Sequence, residues 1–357
     1  TLEALSMLPE QVGYNEIPYA ELSFAQGSAG AHCRLGMGGY GEVFLANWKE
    51  RPVAVKRLLE QEDTCDETLK DFVHEVDILS QLRHSNVVLW LGACTKPPNL
   101  AVVLEAIYTN TRHGPRGRSL NYILHKTHHE VTRVQTLLWL EGVVKGMMYL
   151  HSRNVIHCDL NTNNVLIGKD NVAKITDFGL SRVKVKSRLS NNPSQTGIGT
   201  VNSTAPEVLR GDSFDGKKAD AFSFGVMMWE LVTRSIPWDN WKPLRVYANL
   251  VTNGCAAVNR QLLFPPGTTA AYAQLAMECW EDDPMRRPSF AKLHRQIQQM
   301  LEEEQNALAA AAHNPAAEKG SRCHRHSDPK VRHASRHADA AAANSTSPAA
   351  AAAAATS

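Results

Sequence analysis

His157-Cys158-Asp159-Leu160-Asn161-Thr162-Asn163-Asn164-Val165-Leu166-Ile167, followed by Lys174-Ile175-Thr176-Asp177-Phe178-Gly179, is the stretch that decides how the chain folds. Asn164 comes five residues after Asp159, and Asp177 opens an Asp-Phe-Gly sequence. Phosphoryl transfer needs a carboxylate beside the attacking hydroxyl and oxygen ligands for hard divalent cations, and Asp159, Asn164 and Asp177 supply that set. Each of the three alone is an ordinary loop residue. They gain force from the order in which other residues precede them.

Upstream, Leu35-Gly36-Met37-Gly38-Gly39-Tyr40-Gly41-Glu42-Val43 carries the pattern Gly-x-Gly-x-x-Gly-x-Val. Glycines let backbone approach a phosphate without Cβ atoms in the way. A dinucleotide-binding loop shares this spacing but leads from a strand into a helix, whereas Val43-Phe44-Leu45-Ala46 continues as a strand. The flanks therefore favour a hairpin covering a nucleotide. In Val53-Ala54-Val55-Lys56 the alternation turns Ala54 and Lys56 to one face and sets an ammonium beneath the glycine loop. Leu69, Phe72, Val76 and Leu79 then mark one helical face, with Glu75 on its flank where it can pair with Lys56 and orient it toward phosphates.

Short β-branched and apolar runs dominate from Cys33 to Val103, and helical periodicity dominates from Leu120 to Leu301. The expected fold is α+β, with an N-terminal flank (1–30), a small sheet-rich lobe carrying one helix (31–107) and a larger, mainly helical lobe within 108–301. Tyr108 to Arg118, with two Gly and a Pro, reads as an extended linker between the lobes. Beyond Leu301 the chain is mostly Ala, Ser, His and Arg, so 302–357 is expected to be a disordered tail. The Arg and His cluster from Lys319 to His337 reads as solvated rather than as a metal or nucleic-acid patch.

With 357 residues, 43% of them hydrophobic, the chain can bury a sizeable core, and a net charge of +2 gives no general reason to bind nucleic acid or membrane. Seven scattered cysteines without a Cys-x-x-Cys suggest neither a disulfide framework nor a zinc clip, and fit a reducing cytoplasm or nucleus. Neither a basic-then-apolar leader nor an apolar run of membrane-spanning length occurs, so a soluble protein is expected.

The ordered series from Gly36 to Arg287 resembles the protein kinase superfamily. Further matches are Ala205-Pro206-Glu207, Asp220 ahead of Phe222-Ser223-Phe224-Gly225-Val226-Met227-Met228-Trp229-Glu230-Leu231, and Arg287, similar to the family's buried partner for Glu207. Ile17-Pro18-Tyr19-Ala20-Glu21-Leu22, Leu91-Gly92-Ala93-Cys94, Pro237-Trp238 and Cys279-Trp280 look most like the tyrosine-kinase-like group, near Raf-like MAP kinase kinase kinases of plants and algae. The resemblance implies a bilobal fold, ATP with Mg2+ or Mn2+, and a protein substrate. It implies Asp159 as the base, Lys56 and Glu75 as the pair aligning ATP, and Asn164 and Asp177 as metal ligands. Nucleotide would lie among Leu35, Gly36, Gly38, Gly39, Gly41, Val43, Ala54, Leu104 and Leu166, with the backbone of Glu105 to Ile107 against adenine.

Departures from the family bear on chemistry. Cys158 replaces the Arg of many kinases, so a phosphate on the activation segment would lack its guanidinium partner, and activity without that phosphate is expected. Asn161 replaces the Lys that serine/threonine kinases carry two residues after the catalytic Asp. If that cation contributes about 1.4 to 4 kcal/mol, its loss slows transfer roughly tenfold to a thousandfold. Val201-Asn202-Ser203-Thr204 stands where relatives often read Pro-x-Trp-Met, and Thr200 is retained as in serine/threonine kinases. Arg182, Lys184, Lys186 and Arg188 beside Ser187, Ser190, Ser194 and Thr196 form either a basic strip for an acidic substrate or a solvated loop. The expected function is a serine/threonine protein kinase of intracellular signalling. The alternative is a weakly active or pseudokinase scaffold that binds ATP.

Overall fold

The computed structural model describes residues 15–27, 30–38, 41–58, 72–73, 76–112, 114–177, 201–254 and 261–313. The chain divides after Ala309, and of the second unit only 310–313 are described.

The small lobe is an antiparallel sheet in the order β1 (Ser23–Phe24), β3 (Gly41–Trp48), β4 (Arg51–Leu58), β6 (Ala101–Glu105), β5 (Trp90–Cys94), with β2 (Arg34–Gly38) also paired to β3. β-branched and aliphatic residues at alternate positions build its two faces. Leu45, Ala54, Val102 and Leu104 turn inward, where helical residues 72–73 and 76–80 cover them with Phe72, Val76 and Leu79. Ile17, Leu22, Ala46, Val53, Val55 and Val103 form a separate cluster on the opposite face. The flank is thus more than a leader into the lobe. Residues 15–17 lie beside β5, with Ile17 N donating to Ala93 O and Ala93 N to Asn15 O, and β1 pairs with β3.

The large lobe is built from α1 (Leu120–Lys126), α2 (Arg133–Ser152), α3 (Pro206–Arg210), α4 (Gly216–Thr233), α5 (Pro243–Asn253), α6 (Ala270–Cys279) and α7 (Phe290–His313). Side-chain caps start four of them: Ser119, Thr132, Asp215 and Thr269 accept from Tyr122, Gln135, Lys217 and Tyr272 N–H groups. Every residue of α4 from Ala219 to Leu231 is buried, as its apolar run predicts. A ribbon of β9 (Val165–Ile167) and β10 (Ala173–Ile175) lies against α2.

One piece of small-lobe sequence is bonded to the large lobe. Ile175 N donates to Asn86 O, Val88 N to Ile175 O, and Asn86 Nδ2 to Ala173 O at 2.9 Å. Gly142 and Gly146 let α2 come this close: a Cβ on Gly146 would stand 2.7 Å from Asn86 O.

Two boundaries differ from those read in the sequence. The segment expected as an extended linker is a hairpin, β7 (Tyr108–Thr111) with β8 (Gly114–Gly117), in register Thr111↔Gly114. Gly114 takes φ +105, and Thr111 Oγ1 donates to Gly114 O at 2.8 Å, so the turn residues that suggested a linker close a tight turn. β8 packs on β2, with Cys33 Sγ 3.7 Å from Pro115 O. The expected tail begins too early as well, because α7 continues to His313. Residues 302–313 lack an apolar face but are mostly Glu, Gln, Ala and Leu, whose intrinsic preference carries the helix on.

Candidate active site

Two loops of the large lobe and one strand of the small lobe meet at the site. Lys56, central in β4, reaches Asp177 with Nζ 2.9 Å from Oδ1, the ammonium side chain only 12% exposed. Their sequence separation of 121 residues makes this contact a property of the fold rather than of any local motif. Glu75, the expected partner of Lys56, lies outside the described residues, as do Gly39, Phe178, Gly179, Thr200, the rest of 178–200 and Lys319 to His337.

The loop holding Asp159 is built on strained backbone. Cys158 and Asp177 adopt φ +57 and +60, the left-handed region that side chains with a Cβ disfavour. Asp220, wholly buried in α4, holds the first of these: Oδ2 accepts from His157 N at 3.0 Å and Oδ1 from Cys158 N at 2.8 Å, while His151 Nε2 lies 2.8 Å from Oδ2. The buried His157 ring accepts at Nδ1 from Asp159 N (3.2 Å), which makes it the neutral tautomer donating from Nε2 to Thr176 O (3.1 Å). One imidazole thereby links the Asp159 loop to the residue before Asp177. Thr176 N donates to Asn164 O at 3.0 Å, closing the same pair of loops a second time.

Asn164 Nδ2 donates to Asp159 O at 2.8 Å and to Oδ2 at 3.3 Å. Its Oδ1 is thus the atom left to act as a ligand. The Asp177 carboxylate and the Asn164 carboxamide are hard oxygen donors, and magnesium binds through one or two protein groups of this kind when phosphates complete its shell. The residues present fit that cation.

The expected nucleotide contacts belong to one extended apolar core: Leu35, Ala54, Leu104 and Ile107 buried within it, Val43 and Leu166 partly buried against it. Ala54 pairs with Leu104 across β4 and β6. Glu105 N donates to Leu89 O, and its carboxylate takes Lys174 Nζ at 2.6 Å and Leu89 N at 2.8 Å. The Glu105 N–H and its Oε1 are thus already engaged within the protein. The glycines of the loop differ in role. A Cβ on Gly41 would collide with Arg57 O, so that position serves the β3–β4 packing, whereas a Cβ on Gly36 meets nothing within 4 Å.

Sequence reasoning picked out Asp220 only as the residue ahead of an apolar helix, and missed its clamp on the Asp159 loop. An acid in a helix apolar nearly all round was the available signal, since a buried carboxylate must have partners. The Glu207 and Arg287 pair is found as expected, two-pronged at 2.6 and 3.0 Å with both side chains buried. Val201 to Thr204 are buried, with Asn202 Nδ2 donating to Pro237 O at 2.7 Å and Ser203 O accepting from Ser223 Oγ at 2.7 Å.

A glycine-bearing hairpin above a strand lysine, facing an Asp-and-Asn loop and a second Asp across two lobes, defines the protein kinase class. Residues 30–297 match the protein tyrosine and serine/threonine kinase family, and the chain belongs to it. It is 39% identical over 269 residues to the probable serine/threonine-protein kinase SIS8 of Arabidopsis thaliana, covering 75% of this chain and 24% of that protein. It is also 39% identical over 282 residues to the serine/threonine-protein kinase CTR1 of the same plant (78% and 31%), and 35% identical over 271 residues to the probable serine/threonine-protein kinase drkC of Dictyostelium discoideum (75% and 34%). The chain therefore spans about a quarter to a third of the length of these curated relatives. The plant relatives accord with the tyrosine-kinase-like, Raf-like group that the sequence resembles. Among the described residues, no helix is long and apolar enough to cross a membrane.

Proposed function

We propose that this chain is the catalytic domain of an ATP-dependent protein kinase that phosphorylates serine and threonine hydroxyls of protein substrates in intracellular signalling. The observation that carries the reading is Lys56 of the small lobe standing 2.9 Å from Asp177 of the large lobe, beside an Asp159 loop bonded to the same segment. The relatives' names support the choice of serine and threonine. Asp159 orients the acceptor hydroxyl and takes its proton as that oxygen bonds to the γ-phosphorus and the bond to the β–γ bridging oxygen breaks, leaving ADP. Lys56 holds the α and β phosphates, and Asp177 with Asn164 holds magnesium. That cation, when bound, offsets the negative charge gathering on the phosphates. Leu104, Ile107, Ala54, Val43, Leu35 and Leu166 enclose the base. Cys33, Cys94 and Cys279 are buried thiols outside any disulfide, which suits a cytoplasmic or nuclear setting.

Purified protein with labelled ATP, magnesium and a library of Ser- and Thr-containing peptides tests the proposal. Transfer in the wild type that is lost in both Lys56→Met and Asp159→Asn supports it. Thermal stabilisation by ATP without transfer would point to the scaffold instead.

A further inference from the structure

Asn161 stands where the family's serine/threonine members have lysine, and in the sequence it reads as a loss. The structure gives it an occupation. Its Oδ1 accepts from Asn163 N at 2.9 Å, capping the 3-10 turn Thr162–Asn164. Only the oxygen of a carboxamide can accept from an N–H, so this contact fixes which way the group points. Nδ2 is thereby aimed at Asp159, donating to its backbone O at 3.0 Å and to Oδ1 at 3.2 Å. Asn164 approaches from the other side and holds Oδ2. Each carboxylate oxygen of Asp159 thus receives one carboxamide N–H.

We propose that Asn161 is a positioning residue for Asp159, locking the rotamer of the base through a neutral hydrogen bond in place of a cation. The inference rests on the phosphotransfer reading above. A carboxylate held on one oxygen only turns about χ2, and a misplacement of about 1 Å in a reacting group costs about a hundredfold in rate. The same carboxamide both caps the turn and holds the base, so placement of Asp159 is coupled to the fold of the loop. A lysine would reach Asp159 without bonding Asn163 N and could not make this coupling.

Asn161→Ser separates the two tasks, because serine caps a helical turn about as well as asparagine but is too short to donate to Asp159. The expected result is a kcat lower by about ten- to a hundredfold, KM for ATP changed less than about threefold, and an unchanged melting temperature. A kcat within about threefold of wild type would overturn the inference while the wild type's own transfer kept the phosphotransfer reading standing. If the wild type binds ATP but transfers nothing, that reading fails, and the hydrogen bond is judged separately by nuclear magnetic resonance. The Asn161 side-chain amide, assigned by its disappearance in Asn161→Ser, should exchange slowly with solvent in the wild type and measurably faster in Asp159→Ala, which keeps the backbone acceptor but loses the carboxylate. Rapid exchange in the wild type would overturn the inference.

Discussion

Replacing Asp220 by Ala would remove at once the acceptor of the His157 and Cys158 N–H groups and the partner of His151 Nε2. A buried donor left unpaired costs about 1 to 3 kcal/mol, so Asp220→Ala should lose roughly 3 kcal/mol or more in urea unfolding, with transfer activity falling as Cys158 leaves φ +57. Retention of full activity and stability would show that the loop holds its shape unaided. Arg287 poses a related question. Truncation to Ala strands the buried Glu207 carboxylate and should cost about 3 to 5 kcal/mol, whereas Glu207→Leu with Arg287→Met should regain most of it. Equal losses in the single and double variants would mean that the guanidinium matters for its bonds to Glu281 O and Lys218 O instead. Both acids were visible in the sequence as members of a pattern. The partner of Glu207 came from the family resemblance, but what Asp220 touches was not legible, because its partners lie 62 to 69 residues away.

Helix α4 meets α6 so closely that a Cβ on Gly225 would lie 2.6 Å from Cys279 Cβ and 2.9 Å from Ala276 O. Both obstacles are rigid, so Gly225→Ala should destabilise the protein by about 1 to 3 kcal/mol, read as a lower melting temperature. A neutral result would show that the two helices slide apart freely. That α4 is buried was legible, since an amphipathic surface helix cannot be apolar all round. The β7–β8 hairpin was not. Tyr108-Thr109-Asn110-Thr111 has strand-forming residues, but Gly114, Pro115 and Gly117 carry the signal of a loop. Pairing is settled by partners that no window of sequence displays: the register of the two arms, and β2, more than seventy residues earlier, against which β8 lies. The catalytic loops were the easier case, because their chemistry restricts residue types at fixed spacings.

Burial sets how the protein responds to alkali. Cys94 is pushed up from an ordinary 9.0 to about 12, first by burial and then by Glu16. Cys279 and Tyr272 rise further, again chiefly by burial, with Glu278 adding to the first and Cys279 to the second. These groups stay protonated in the fold but ionise in the unfolded chain from about pH 9 or 10 upward, so the unfolded state binds fewer protons there and stability falls as pH rises toward 12. The urea midpoint should drop between about pH 8 and pH 10.5, with Cys279, fully enclosed, contributing on the order of 1 kcal/mol per pH unit. Cys279→Ala should flatten that slope, and an unchanged slope would place its origin elsewhere. Iodoacetamide should likewise leave Cys94 and Cys279 unlabelled until urea opens the fold.

The strip 86–88 belongs by chain order to the sheet-rich half but is stitched to β10 and tucked against α2. Cutting the polypeptide after Ile107 would therefore not separate two self-sufficient modules; it would tear a strip of backbone from its neighbour and leave bare amides on both fragments. Neither piece should keep its shape alone, and mixing them should restore it.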